Sequence, residues 1–139
     1  MEVTVTNTTQ SRVDSALIKQ AALETLKVCK SKGNISVVII GDQRMRTLNR
    51  VYRGKDSVTD VLSFTEAEAS LSEPNFLGEI FIDLGVIKKQ AKKFAPSFRF
   101  ELAFIAIHGT LHLLGYEDKT KVGAHTMETL GHTIIKKVL

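Results

Sequence analysis

The 139-residue sequence contains a single cysteine, Cys29, which excludes an intrachain disulfide and a cysteine-based zinc knuckle. It has no apolar run approaching the roughly 20 residues that cross a bilayer, so no membrane partner is expected. Residues 1–10 carry neither a basic stretch nor an apolar one, and they read as having no signal peptide. Linkers and internal repeats are absent too, and the length suits one hydrophobic core, so residues 1–139 read as a single cytoplasmic domain. The hydrophobic share of 43% is enough to fill that core. The formal charge of +4 and a pI of about 9.3 suit an anionic partner such as nucleic acid without demanding one.

Hydrophobic periodicity gives the elements. Val3–Asn7 alternates valine with polar residues and reads as a strand. Residues 11 to about 30 read as a helix with Ser11 or Asp14 as its cap, broken by Gly33 and Asn34. Residues 35–40 form a β-branched run suited to a strand buried on both faces. Asp42 is placed to cap a helix over residues 43–53. A strand is expected over 58–65, an exposed loop over 66–76 and a strand over 78–83, with Asp83 capping a basic helix that runs to about 94. A very apolar helix follows over 98–114, closed by Gly115, and a last helix over about 119–138. The expected fold is therefore α/β (α+β), a mixed sheet of about four strands packed with about five helices, its strand order unreadable from sequence.

The chemistry concentrates in one segment, HGTLHLLGYED over residues 108–118. His108 and His112, at i and i+4 on a helix, share one face and can share one metal ion. Gly115 is placed to reverse the chain through a left-handed turn, bringing Asp118 toward the same ion. The plain alternatives are two buried core histidines and an Asp118 that caps the next helix. A nearly all-apolar helix makes two unpartnered imidazoles costly, which favours metal. His125 and His132 are the other candidates for a third ligand, but they lie opposite the Met127, Leu130, Ile134, Val138 stripe and read as solvated. The spacing is also that of metzincin proteases, which need a glutamate directly after the first histidine. Gly109 stands there, which counts against peptide hydrolysis by that route.

HGTLHLLGY resembles the signature of the YbeY family of metal-dependent endoribonucleases. A second block agrees with it: Leu48, Asn49, Arg50, Val51, Tyr52 and Arg53, then Asp56, then residues 59–64. With residues 77–80 and Met127, the likeness runs from about 48 to 128. It implies a zinc-dependent, single-strand-directed endoribonuclease in rRNA maturation (16S rRNA 3′ end processing) and ribosome quality control. RNA and the ribosomal small subunit or its associated proteins would be its partners. It further implies one ion per chain on His108, His112 and residue 118, and Arg53 as the residue that stabilises phosphate charge. The family's third ligand is histidine, whereas this chain has Asp118. Aspartate is an accepted zinc ligand, but it weakens the ion as a Lewis acid and admits other divalent metals such as manganese or iron. Gly131 also departs from the family, which often has an acidic residue there.

Arg46, Arg50 and Arg53 form one stripe on the helix over 43–53, opposite Met45, Leu48 and Tyr52, and Arg46 and Arg50 are candidates to bind substrate. Lys88, Lys89, Lys92 and Lys93 read as a solvated face. Asp60 and Ser63 are expected to shape the strand beside the site, Tyr116 to pack under the metal loop, and Glu117 to be an exposed loop residue. Two other classes compete with the nuclease reading: a zinc hydrolase of a non-RNA substrate, and a ribosome-associated assembly factor whose metal is structural or degenerate.

Overall fold

The computed structural model describes residues 1–69 and 73–139. In chain order its elements are β1 (Val3–Asn7), α1 (Ser15–Val28), β2 (Asn34–Ile40), α2 (Asp42–Arg53), β3 (Val61–Thr65), β4 (Phe76–Asp83), α3 (Leu84–Phe94), α4 (Phe98–Leu113) and α5 (Lys121–Val138). The four strands form one mixed sheet in the order β1-β2-β4-β3. β1, β2 and β4 are parallel, and β3 runs antiparallel to β4. One face of the sheet, with Ile35, Val37, Ile39, Ile80 and Ile82, packs against α1, α4 and α5 in the main core. The other face, with Ile40, Leu62, Phe64 and Phe81, meets Met45 of α2 in a smaller cluster.

That asymmetry corrects the expectation for residues 35–40. Ile35, Val37 and Ile39 are fully buried, but Ser36 and Val38 are only half-buried because α2 alone covers their side. Side chains alternate across a strand, so one short helix cannot bury a whole second face.

Helix starts follow capping chemistry. The Asp14 side chain accepts from the Leu17 N–H, which begins α1 later than residue 11, and it also takes a 2.7 Å ion pair from Arg99 in the first turn of α4. Ser97 caps α4 and Thr120 caps α5. Asp42 is not a cap: Gly41 occupies that position without a side-chain bond. β3 starts at Val61 and β4 at Phe76, a residue expected in the loop but buried at 6% exposure. Within that expected loop, residues 66–69 and 73–75 are turns or irregular, and residues 70–72 lie outside the described residues.

α4 touches α1, α3, α5, β3 and β4. Leu102, Ala103, Ile105, Ala106, Ile107, Gly109, Thr110, Leu111 and Leu113 are buried, so the helix is enclosed on nearly every side. Glu101, Phe104, His108 and His112 remain half-exposed, and their spacing puts them on one stripe. The fold thereby turns an all-round apolar helix into one with a single open seam.

Asp83 ends β4 and caps α3 by accepting from the Gly85 and Val86 N–H groups. It is 1% exposed, and its Oδ2 has no hydrogen-bond partner among the described residues. Burial and the neighbouring Asp42 carboxyl raise its pKa to about 6. The native carboxyl keeps its proton to about that pH, whereas an unfolded aspartate loses it near pH ~4. The unfolded chain then binds fewer protons across this window, and stability falls as pH rises through it. Asp83→Asn keeps the capping oxygen and removes the titration. Urea midpoints measured across the window should fall less steeply for the variant; an unchanged slope would show that Asp83 is not the group responsible.

Candidate metal centre

α4 places the two imidazoles and the turn after it delivers the carboxylate. The His108 and His112 Nε2 atoms lie 3.0 Å apart. Asp118 Oδ2 stands 3.4 Å from the first and 3.7 Å from the second. A tetrahedral ion with bonds of about 2.0–2.1 Å sets its ligand atoms roughly 3.4 Å apart, so the three donors fit one ion. Among the described residues, this is the group of histidine, cysteine and carboxylate side chains close enough to hold a metal, and it contains no fourth protein ligand. Three ligands leave a coordination position open, as catalytic sites require.

The turn is a Schellman motif. The Tyr116 N–H donates to the Leu111 carbonyl and the Gly115 N–H to the His112 carbonyl, each at 3.1 Å, with Gly115 at φ +96°. It reverses the chain and aims the Tyr116 carbonyl back at His112 Nδ1, 3.0 Å away. With Nδ1–H donating to that carbonyl, the His112 Nε2 lone pair is free to face an ion. For His108, burial and then the neighbouring His112 lower the pKa, against the pull of Asp118 and Asp60. A neutral His108 is the form that binds a metal. Asp118 does not cap the next helix, since Thr120 does.

Gly109 has a steric cause. A Cβ at this position would lie 2.9 Å from Ile80 Cγ2 and 3.1 Å from Val61 Cγ2. It faces the sheet, so a protease-type glutamate there could not reach the ion. Ser63 locks the same contact by donating to the Gly109 carbonyl at 2.9 Å, which is how it shapes the strand beside the site.

The three donors line a cavity of about 480 Å³ together with Arg53, Thr59, Asp60, Glu68, Glu117 and Lys119. Arg53 lies over the Phe64 ring at 4.6 Å. Its Nη1 donates to Glu68 at 3.0 Å and to the Tyr52 carbonyl at 3.2 Å, and its Nη2 to the Ser63 carbonyl at 2.9 Å. Against the cost of burial, the Thr65 N–H and the Arg53 guanidinium hold the Glu68 carboxyl below its usual range.

The arginine stripe divides. Arg46 is ion-paired with Asp56 at 2.8 Å and, with Arg50, lines a separate hollow that holds none of the metal donors. The interlocked pairing of Arg46 also lowers the Asp56 pKa. Tyr52, expected toward the core, is 58% exposed and meets Phe64 edge-on. His125 is exposed, and His132 lies on the Phe104 ring at 5.1 Å, so neither joins the donors. Sequence reasoning missed Glu68, read only as part of an acidic loop, and Glu101, which shares the α4 seam at i−7 from His108. The seam spacing was the available signal for Glu101.

The family model described as Endoribonuclease YbeY matches residues 2–139. Proteins named Endoribonuclease YbeY are similar to this chain. One from Geobacillus sp. (strain WCH70) is 42% identical over 99 residues, which is 66% of this chain and 64% of that protein. One from Moorella thermoacetica is 39% identical over 115 residues, 77% of this chain and 74% of that protein. One from Geobacillus kaustophilus is 40% identical over 117 residues, 78% and 73% of the two. A solution structure of a Thermotoga maritima protein superposes with a TM-score of 0.64 at 25% identity, covering 97% of this chain and 90% of that one.

Two measurements test the centre. Elemental analysis after zinc loading should find about one ion per chain, lost in His112→Ala and reduced at least tenfold in affinity in Asp118→Ala. An Asp118→Ala protein that holds zinc as tightly as the wild type would remove Asp118 from the ligand set. Gly109→Ala gains about 1 kcal/mol of helix propensity but forces contacts costing about 1–3 kcal/mol. Its urea midpoint should drop; an unchanged or higher midpoint would show that α4 can lift from the sheet.

Proposed function

This chain belongs to the YbeY endoribonuclease family, and from that premise we propose that it is a zinc-dependent endoribonuclease. It cuts single-stranded RNA in rRNA maturation and ribosome quality control in the cytoplasm, with the small ribosomal subunit or its associated proteins as partners. The observation that carries the reading is the shared cavity: His108, His112 and Asp118 converge within 4.8 Å of one another, and Arg53 lines the same space. These three residues would hold the ion, which supplies Lewis acidity toward a phosphate or an activated water.

The protein's own contribution is positioning. Arg53 is held at three of its N–H groups and over Phe64, which fixes the guanidinium plane against rotation. Of the five N–H donors of an arginine, two remain for phosphate oxygens, and their planar geometry suits the two non-bridging atoms. Charge that builds on those oxygens is met by a cation already in place, so little reorganisation is needed. The Tyr116 carbonyl keeps His112 oriented, and burial keeps His108 neutral. Arg46 and Arg50 lie outside this cavity and would contact only RNA that extends past it.

A single-stranded RNA spanning a mature rRNA end is the test substrate. Zinc-loaded protein should cleave it, His112→Ala should be inactive, and Arg53→Ala should be slower by about 100-fold or more. Arg53→Lys should recover only part of that loss, because a point charge replaces a planar fork. Loaded wild-type protein that binds the RNA but leaves it intact would overturn the nuclease reading in favour of an assembly factor.

A further inference from the structure

A second cavity, of about 370 Å³, meets the metal centre from the other side and shares His108 and Asp118 with it. Half of its remaining lining residues carry rings. Phe100 and Phe104 stack at 5.8 Å with planes 10° apart, and His132 lies 5.1 Å from Phe104. Phe94, at the end of α3, is 82% exposed on its rim. Glu101, Glu128, Ala95 and Ala124 complete the lining. Four ring systems from three helices thus surround one hollow, with Phe100 and Phe104 also packed against the edge of the main core. A side chain at Gly131 would press on the Phe104 ring, its Cβ coming within 3.1 Å.

We infer that this aromatic cleft holds the base of a nucleotide flanking the cleaved phosphate. The inference rests on the RNA reading above and deepens it. A strand whose phosphate sits beside His108, Asp118 and Arg53 must send its neighbouring nucleotides away from the ion, and this cleft opens directly off the two shared ligands. Unpaired bases are bound by stacking on phenylalanine and histidine rings, which single strands permit and paired strands do not. The acidic lining sets the preference. Glu101 and Glu128 accept hydrogen bonds and donate none when ionised, so they match the amino groups of guanine, cytosine or adenine and oppose the O4 of uracil. Lys92 and Lys93 precede Phe94 in the last turn of α3, where cations suit the phosphates of a strand leaving the cleft.

The test uses zinc-loaded protein and a short single-stranded oligoribonucleotide in which 2-aminopurine replaces one base at a time. Fluorescence is read by stopped flow ahead of cleavage. With wild-type protein, binding should quench the probe at one or two adjacent positions. Phe104→Leu, which keeps an apolar chain against Gly131, and His132→Ala, an exposed position, should lose that quenching and bind roughly five- to a hundred-fold more weakly. Their zinc content should match the wild type, which separates the cleft from the metal centre. An abasic substitution at the quenched position should weaken the wild type by a similar factor and leave Phe104→Leu nearly unaffected. If both variants bind and quench as the wild type does, the stacking assignment is overturned while the RNA reading stands. If the wild type binds no oligoribonucleotide, the RNA reading fails and the cleft assignment with it.

Discussion

The packing of α4 against the sheet is the contact on which the site depends. Gly109 lets the helix approach Ile80 and Val61 closely, and Ser63 ties its carbonyl to β3. With α1, α3 and α5 on its other sides, the helix has one seam left. Glu101, Phe104, His108 and His112 occupy that seam because every other direction is filled by hydrocarbon. Rigid packing then fixes the imidazoles before any ion arrives. The ordering cost of the ligand set has largely been met by folding, which leaves more of the binding free energy to appear as affinity.

What could be read from the sequence was what is local in the chain. The His108–His112 pair, the Gly115 turn and the return of Asp118 all fall within one helix end, so spacing alone located them. Asp14 and Asp83 were legible for the same reason, since capping is a contact over two or three residues. Asp42 failed that logic because the helix starts one residue earlier than read, so Asp42 is its first residue and Gly41 holds the cap position. The arginine stripe failed in another way. Helical periodicity gives the direction in which a side chain leaves the backbone, but Arg46 and Arg53 are long enough to turn toward different acids. Asp56 draws one and Glu68 the other, and the stripe parts into two hollows. Tyr52 points to solvent because the α2 face of the sheet is too narrow to cover it. The aromatic cleft was out of reach altogether, being assembled from α3, α4 and α5.

Arg53 shows how a surface cation is kept from wandering. An exposed ion pair is worth little to stability, on the order of 0–1 kcal/mol. Its value here is geometric, since Glu68, two backbone carbonyls and the Phe64 ring define one orientation. The same contact sets a condition on function. A phosphate reaching Arg53 would use the two N–H groups left free and would lie in the field of the Glu68 carboxylate, so the charge around it must outweigh that repulsion.

The charge balance of the cavity decides when that condition is met. Four carboxylates, Asp60, Glu68, Glu117 and Asp118, line it against two cations, Arg53 and Lys119. The lining is therefore net negative despite the chain's overall charge of +4. A divalent ion held by His108, His112 and Asp118 would offset that excess. Asp118 in place of a neutral histidine would make that offset less complete than in a three-histidine centre and would lower the Lewis acidity of a bound ion. Arg53 lines the same cavity as the three donors, so a bound ion and the guanidinium would together counter the carboxylates of one shared lining.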